Sequence, residues 1–592
     1  MRYPDQHSYT DPEHSEIKHI DFVFKPDFKT KTIVGIAEYE LESPATHTLY
    51  LDTKKLLIDY ARADGLDIAW ELGEPDPVLG ERLKLSGMNG KSRFELGFRT
   101  HPEAPALQWL TPEQTMGGKK PYLYSQCQPI NARSIFPCQD SPSVRFTYTA
   151  ELIVPDELSG LMAAALIEVE EKNSELSFHY WMPQTIPAYL FALAVGNISH
   201  HDISSRVRIY AEPELLQAAS WEFANTEDLI TEAVKLYGPY DWERYDLLVM
   251  PPSFPFGAME NPRLTFISPT TINGDRSHVL TVAHELAHSW TGNLVTCATW
   301  EDIWLNEGWT TYTEQRIMES IEGTEFASMV AAYNQRKMLE NMERIGHDSP
   351  HTMLKPELKG GDPDGAAPLV SYRKGFAFLR RIEECVGREE FDRFTHKYIA
   401  AHRFTSIDTM EFLDFLTMGL PTVKDQFDIN EWVYGTGFPL DAPVIETKML
   451  EDVDQLIAAY DSGVKPDLEQ VGDWSTFQNM LFLQSLPIEM SVDDCIYFEN
   501  LFDLKNSHDR HLQTEFYKRA IHSGYREILP EVVSFLSTVG RGLLILPVWR
   551  ALASTEWSKT LVEDLYQQCK PRLHPMMNHV VEKMLAHITQ KQ

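Results

Sequence analysis

Apolar and polar residues alternate along the first two hundred positions of the chain. Ile20, Phe22 and Phe24 show this period of two, and it recurs within residues 33–41 and 144–152. Such alternation is typical of β-strands that bury one face. Clusters of Pro and Gly separate the runs, as turns between strands would. Residues 1–200 are therefore predicted to form an antiparallel β domain.

The pattern changes twice further along the chain. Residues 201–440 are mixed, with a helix predicted at 226–236, strands at 245–250 and 264–267, and two helices beyond them. Residues 450–592 repeat apolar positions at helical spacing, for example at 453–460, 515–520, 532–536 and 561–566, which predicts a stack of antiparallel helices. Residues 441–449 follow a Gly- and Pro-containing segment and are predicted to be a linker. The fold class is thus α+β and multidomain.

Charge and composition exclude several classes of partner and location. The 592 residues carry a net charge of −34, and a surface of that sign repels phosphate backbones, so we expect no nucleic-acid partner. The first residues contain no apolar run, and no stretch approaches the roughly eighteen apolar residues of a membrane span, so neither a secretory signal nor a membrane anchor is expected. The six cysteines form no C-x-x-C pair, which fits reduced thiols in a cytoplasmic protein. We expect a monomer.

The strongest chemical signal is the segment TVAHELAHSW at residues 281–290. On a helix His284 and His288 stand one turn apart, so both imidazoles can bind one zinc ion. Glu285 points away from that line and can take a proton from the attacking water without binding the metal. The alternative interpretation is an ordinary amphipathic helix with two partly buried histidines.

A catalytic zinc site needs a third protein ligand and keeps a fourth position open. Glu307, in the segment WLNEGW at 304–309, lies nineteen positions after His288, which leaves room for a short connection and a second helix. Glu314 follows about two helical turns later on the same face, where it could hold a ligand histidine through the second ring nitrogen. One zinc ion per chain is therefore predicted.

Three motifs together resemble the gluzincin aminopeptidase family: H-E-x-x-H at 284–288, N-E-G at 306–308 and G-x-M-E-N at 257–261. The flanking segments PPSFPF at 251–256 and WTGNLVT at 290–296 are most similar to the branch that holds leukotriene-A hydrolase and aminopeptidase B. The resemblance implies an N-terminal β saddle, a thermolysin-like catalytic domain and a C-terminal all-α helical stack. It also implies a zinc aminopeptidase that acts on peptides with a free N-terminus.

The G-x-M-E-N segment is expected to recognise the start of the peptide. A carboxylate beside the zinc, here Glu260, can pair with a free α-amino group and so place the first carbonyl at the metal. The resemblance implies that the backbone before it binds the peptide as an added strand. The residues assigned to this backbone contact are Gly257, Ala258 and Met259, and Phe256 is a further expected substrate contact.

The resemblance also implies a catalytic tyrosine at Tyr372, in the segment SYRKGFA at 371–377. Its phenol would hydrogen-bond the oxyanion that forms as the carbonyl becomes tetrahedral. The flanking Ser371 and Arg373 depart from the family's P-Y-E-K-G pattern, whereas the KGFA that follows agrees with it.

Four further substrate contacts come from the resemblance alone. Gln126 and Gln128, in a Q-C-Q segment, are expected near the substrate's amino terminus. Arg541 is expected to bind the peptide carboxylate, although Leu543 stands where the branch usually has a lysine, which predicts weaker or differently built recognition. Asp364 is expected to line the pocket and could favour a cationic first side chain.

Three other functions remain open from the sequence. Epoxide hydrolysis of a lipid would require a long apolar tunnel, and Ala367 stands where the epoxide hydrolase has a tyrosine. A non-catalytic peptide-binding scaffold would need none of the metal chemistry. A thermolysin-like endopeptidase is disfavoured by Glu260, the residue expected to pair with a free α-amino group.

Overall fold

The computed structural model describes residues 4–10, 15–46, 48–363 and 368–589. The first part of the chain is built from strands, as the alternating pattern predicts. In strand β1 the buried positions fall at every second residue through most of its length, so Ile20, Phe22 and Phe24 face the core. The strands of this part are β1 Ile17–Asp27, β2 Thr32–Leu41, β3 Leu49–Thr53, β4 Leu57–Ala63, β5 Leu66–Asp67, β6 Trp70–Leu72, β7 Glu81–Leu85, β8 Arg93–Arg99, β9 Leu107–Leu110, β10 Tyr122–Ser125, β11 Arg145–Pro155, β12 Ser159–Met162, β13 Ala165–Lys172, β14 Glu175–Pro187, β15 Leu193–Gly196 and β16 Ser199–Asp202.

Eight of these strands form one large sheet in the order β13-β14-β11-β1-β2-β8-β4-β5. Smaller sheets join β12-β15-β10-β9 and β3-β7-β6. The large sheet differs from the predicted antiparallel arrangement at one pair, because β1 and β11 run parallel, with Ile20 opposite Tyr148. Alternation of buried positions is the same in both kinds of pairing, so the sequence pattern could not reveal this.

The middle of the chain combines a five-stranded sheet with helices. The sheet has the order β16-β17-β18-β20-β19, which leaves β19 at its edge. The predicted strand at 264–267 and the predicted helix at 226–236 are present with nearly the same bounds. The elements are β17 Arg208–Ala211, α1 Pro213–Glu222, α2 Thr226–Tyr237, β18 Asp246–Val249, β19 Ala258–Met259, β20 Leu264–Ile267, α3 Val279–Ala287, β21 Val295–Cys297, α4 Trp304–Glu322, α5 Thr324–Ile345, α6 Pro368–Val386, α7 Arg388–His402, β22 Thr405–Ile407, α8 Thr409–Gly419 and α9 Ile429–Tyr434.

The last part is helical throughout the described residues, and each of the four predicted segments lies in or overlaps a helix. The helices are α10 Lys448–Asp461, α11 Leu468–Val471, α12 Thr476–Ser485, α13 Val492–Leu501, α14 Arg510–His522, α15 Leu529–Thr538, α16 Gly542–Ser554, α17 Val562–Cys569 and α18 Pro575–Thr589. Within the part of the chain that the structure describes, no helix has the length and apolar character needed to cross a membrane.

Two large hydrophobic cores among the described residues account for most of this arrangement, beside a small cluster of Met338, Met342 and Val370. One runs without a break from the large sheet through the elements around α3, α4 and α6. The other lies among the C-terminal helices and also takes in Met329, Val330 and Ala332 of α5. Phe326 and Leu280 pack against both cores. The helices that carry the zinc motif are therefore fixed between the sheet and the helical stack, where a cleft between domains commonly places a binding site.

Candidate active site

Two neighbouring helices present the H-E-x-x-H and N-E-G motifs to each other. Helix α3 carries His284 and Glu285, and His288 closes its last turn with its backbone N–H donating to the His284 carbonyl at 3.2 Å. Helix α4 carries Glu307 in its first turn and Glu314 farther along the same face. The predicted second helix therefore begins only a few residues before the glutamate assigned as third ligand.

The side chains assigned as ligands converge on one point. Nε2 of His284 lies 3.6 Å from Oε2 of Glu307, and Nε2 of His288 lies 3.5 Å from the same oxygen. That oxygen is buried and accepts no hydrogen bond from the described residues. Two imidazole nitrogens and one orphaned carboxylate oxygen form the donor set of a catalytic zinc site, so these residues fit the metal.

The second ring nitrogen of each histidine has a fixed partner. Nδ1 of His284 lies 2.7 Å from Oε2 of Glu314. Nδ1 of His288 lies 3.1 Å from the Thr291 carbonyl and 3.2 Å from the Thr310 hydroxyl. A proton on Nδ1 leaves Nε2 as the free donor, so both histidines present the correct tautomer for a metal.

Glycines allow a third helix to reach this centre. A Cβ placed on Gly308 of α4 would lie 2.8 Å from the Cα of Gly375 in α6, which is closer than real Cβ contacts come. The two helices can approach this closely only because neither residue has a side chain. The close approach brings Tyr372 of α6 against His284, with ring centroids 5.6 Å apart and nearly parallel planes.

The phenol of Tyr372 is a hydrogen-bond donor at this position. Burial raises its pKa well above the usual value, and the nearby carboxylates of Glu307, Glu260 and Glu285 raise it further. The group therefore keeps its proton at neutral pH, which a donor to a developing oxyanion must do.

Glu285 has the environment of a base rather than of a ligand. Its side chain is only 8% exposed, and burial raises the pKa of Glu285 to about 7 although His284 and His288 oppose the shift. A divalent cation at the three ligands would lower that pKa. A buried carboxyl group beside the ligands that does not itself bind the metal can take up a proton and later return it.

Glu260 is buried beside the ligands with no partner of its own. It is 5% exposed, and its Oε1 makes no hydrogen bond within the described residues. Burial raises the pKa of Glu260, whereas the charge of His288 opposes the rise. Its backbone carbonyl accepts a hydrogen bond from Nδ2 of Asn293 at 2.8 Å, which fixes the turn that carries it. A buried carboxylate without a partner is costly unless a cation binds there.

The segment before Glu260 is an edge strand. Ala258 pairs with Ile267 and Met259 with Phe266 in the antiparallel pair of β19 and β20, and no strand of the described residues pairs with the other side of β19. The Gly257 carbonyl accepts from the Ser268 N–H at 2.8 Å. The outer edge therefore offers backbone groups to an added strand.

The remaining predicted substrate contacts differ in how close they lie to the edge strand. Nε2 of Gln126 donates to Sδ of Met259 at 3.1 Å, so this side chain lies against the edge strand, whereas Gln128 lies two residues on in the same loop. The ring of Phe256 packs against that of Phe254 at 5.5 Å. Asp364, like Ala367, lies outside the described residues.

Arg541 reaches the edge strand from the C-terminal helices. A Cβ on Gly257 would lie 2.7 Å from a guanidinium nitrogen of Arg541, and the Gly542 N–H donates to the Pro255 carbonyl at 3.0 Å. Burial lowers the pKa of Arg541 to about 10, and the negative charge of Glu285 opposes the fall. The cation still carries its charge at neutral pH.

Two groups near the site were not predicted from the sequence. Arg145 of β11 donates to the Asn293 carbonyl at 2.7 Å and to the Thr296 hydroxyl at 2.6 Å, and so ties the large sheet to the loop that holds Glu260. His511 lies 3.3 Å from Arg541. Neither belongs to a motif, and both are far in sequence from the residues they contact, so no local signal could have found them.

Comparison with protein-family models assigns three segments of the chain. Residues 13–190 match the Peptidase M1 N-terminal domain, residues 221–433 match the Peptidase family M1 domain, and residues 474–585 match the C-terminal domain of leukotriene A4 hydrolase. These matches follow the order of the strand-rich, mixed and helical parts described above.

Curated proteins and solved structures give the same result over the full length. The chain is 34% identical to leucine aminopeptidase 2 of Aspergillus oryzae, over 96% of this chain and 95% of that protein. It is also 34% identical to leukotriene A-4 hydrolase of Xenopus laevis, over 98% and 99%. The structure of native yeast leukotriene A4 hydrolase superposes with a TM-score of 0.91 at 30% identity, over 98% of this chain and 97% of that one. An M1 zinc metallopeptidase from Deinococcus radiodurans shares the fold, with a TM-score of 0.59 at 20% identity, over 75% and 100%.

Proposed function

The chain belongs to peptidase family M1 and is a zinc-dependent aminopeptidase, and we propose that the residues described above divide the reaction among them as follows. His284, His288 and Glu307 hold the zinc ion, and Glu314 orients His284. Bound zinc polarises the scissile carbonyl and acidifies the attacking water. The protein's own groups carry out the steps of binding and proton transfer.

Glu285 moves the proton. It accepts one from the attacking water and then returns it to the leaving amine, so one carboxyl group acts first as base and then as acid. Tyr372 donates a hydrogen bond to the oxygen that becomes negative as the carbonyl carbon turns tetrahedral. Both side chains lie against the ligand histidines and not in a separate pocket.

Glu260 makes the reaction an exopeptidase reaction, and its unpartnered buried Oε1 is the observation on which this part of the proposal depends. The free α-ammonium of a peptide supplies the missing cation. The peptide residue after the first lies along Gly257 to Met259 as an added strand, within reach of Gln126. The first carbonyl would then face the residues that would hold the metal, His284, His288 and Glu307, so one residue would be removed at a time.

The carboxylate end of a short peptide binds to Arg541. Its guanidinium lies against Gly257, next to the start of the edge strand. Gln128 and Asp364 remain proposed contacts for the first residue. We also propose that the protein is a cytoplasmic monomer, with peptides as its partners.

Hydrolysis of an epoxide is a second activity to test, because one relative is named leukotriene A-4 hydrolase. Its expected signature is conversion of a lipid epoxide to a diol. The tyrosine of the epoxide hydrolase corresponds to Ala367 in this chain, so we expect no efficient conversion.

A panel of aminoacyl chromogenic amides tests the main proposal. Leucyl amide is the first choice, because several relatives are named leucine aminopeptidase. Activity should fall after chelation and return with one equivalent of zinc per chain. Cleavage of the panel that survives complete removal of the metal would contradict the zinc mechanism.

A further inference from the structure

The carboxylate-binding arginine has an unusual neighbour. The guanidinium of Arg541 forms a hydrogen bond with the imidazole of His511 rather than with a carboxylate. Nη1 of Arg541 lies 3.3 Å from Nε2 of His511. An arginine can only donate, so Nε2 of His511 must accept and its proton must be on Nδ1. A neutral acceptor orients the guanidinium without neutralising it.

The surroundings of His511 keep it neutral. Burial lowers its pKa well below the usual value, and the charges of Arg541 and His278 lower it further, although Asp509 opposes them. A carboxylate in this place would form an ion pair with Arg541 and compete with the substrate. An imidazole holds the same geometry and leaves the positive charge available.

The position of His511 is itself fixed from two directions. Asp509 begins helix α14, and its Oδ1 accepts from the backbone N–H of His511 at 2.8 Å and of Leu512 at 3.1 Å. The ring of His278 packs on the ring of His511, with centroids 4.9 Å apart, and Nε2 of His278 lies 3.3 Å from Oδ2 of Asp509. His278 immediately precedes α3, the helix of the zinc motif.

These contacts connect the helix of the zinc motif with Arg541. A chain of contacts leads from His278 at the start of α3 to Asp509, from Asp509 to the backbone N–H of His511, and from the His511 ring to Arg541. The distance from the metal centre to the guanidinium is therefore set by packed side chains and not by a free rotamer of a long arginine. Such a fixed distance selects peptides whose length matches it. Because Arg541 is already held in a single geometry, binding also avoids the side-chain entropy cost of ordering a long arginine.

We propose that His511 is a positioning residue that holds Arg541 toward the substrate carboxylate, and that it thereby makes the enzyme selective for short peptides with a free C-terminus. This inference rests on the proposed role of Arg541. It also explains how this chain can bind a carboxylate although Leu543, which is 66% exposed, stands where its branch usually has a second cation.

The test compares trialanine with trialanine amide in wild type, His511→Leu and His511→Gln. The side-chain oxygen of glutamine can accept where Nε2 does, whereas leucine offers no acceptor. We expect His511→Leu to raise KM for trialanine roughly tenfold, as loss of one positioning hydrogen bond to a charged group would. KM for the amide and kcat for both peptides should remain close to wild type, and His511→Gln should restore most of the loss.

His508→Leu is the matched control, because His508 is an exposed histidine three residues earlier in the same segment. It should leave both peptides unaffected. Thermal unfolding of each variant identifies any loss of folded protein, and the amide serves as an internal reference for the integrity of the zinc site.

Three results would overturn the inference. Equal effects of His511→Leu on trialanine and its amide would make His511 a structural residue only. No effect on either, with wild type still favouring the carboxylate, would remove His511 from recognition while leaving Arg541 in place. Equal KM for the two peptides in wild type would reject the carboxylate role of Arg541 and the inference with it. Cleavage of the amide would still support the aminopeptidase mechanism in each case.

Discussion

The two ends of the proposed peptide-binding site, the zinc end at His284, His288 and Glu307 and the carboxylate end at Arg541, are built in different ways. At the zinc end, the catalytic and ligand side chains come from helices α3, α4 and α6, and close spacing in sequence places most of them. At the carboxylate end, Arg541 precedes α16, His511 opens α14 and His278 precedes α3, so one contact is assembled from three distant segments. The proposed chemistry thus depends mainly on local sequence, whereas the proposed recognition of the peptide carboxylate depends on how distant segments pack.

This difference predicts two kinds of defect. Substitutions at the zinc end should lower turnover, because their interactions strengthen as the transition state forms. Substitutions at the carboxylate end should raise KM, because the carboxylate is held equally in the ground state and in the transition state. The following predictions run from the largest expected effect to the smallest.

Loss of Glu285 should produce the largest loss of turnover without loss of metal. Glutamine has the same shape but cannot accept the proton, so Glu285→Gln should lower kcat by about 10²–10⁴-fold. Glu307→Ala removes a ligand and should lose the metal as well. Metal analysis and steady-state kinetics on both variants separate the two roles. Near-normal turnover in Glu285→Gln would show that another group is the base.

Loss of the Tyr372 phenol should lower kcat by about 10²–10³-fold, because one donor to the oxyanion is removed. Tyr372→Phe keeps the ring against His284, so zinc content and KM should change little. The measurement is kcat and KM for leucyl amide, with metal content as the control. An increase in KM with kcat preserved would make Tyr372 a binding residue and weaken the contrast between the two ends.

Loss of Arg541 should affect binding alone. Arg541→Leu should raise KM for trialanine about 10–100-fold, as loss of a charged hydrogen bond of about 1.5–3 kcal/mol implies, and should leave KM for trialanine amide near the wild-type value. Arg550→Leu, an exposed arginine on the same helix α16, is the matched control. A fall in kcat for both peptides would place Arg541 in the catalytic step and contradict the division between the ends.

Part of the zinc end follows from the sequence for a physical reason. A helix repeats every 3.6 residues, so the spacing of His284 and His288 implies that they share a face, whereas Glu307 was assigned to a second helix. The alternating strands and the C-terminal helices were predicted for the same reason, since both patterns report one buried face. These elements are local, and the structure contains them with small differences in their bounds.

The rest depended on contacts between distant segments. The parallel pairing of β1 with β11 cannot be read from alternation, which both pairings share. The role of His511 required the position of Arg541, thirty residues away, and the role of Arg145 required the loop at Asn293. Tyr372 and Glu260 were identified only because motifs around them resembled a known family.

The central claim is that Glu260 makes this protein an aminopeptidase, and cleavage of free and N-acetylated peptides tests it most directly. Acetylation removes the charge that Glu260 binds, so wild type should cleave trialanine and leave N-acetyl-trialanine intact. Glu260→Ala should lower kcat/KM for the free peptide by the equivalent of about 2–5 kcal/mol, the cost of losing one partner of a buried charge pair. Equal kcat/KM of wild type for the two peptides would contradict the account and indicate an endopeptidase.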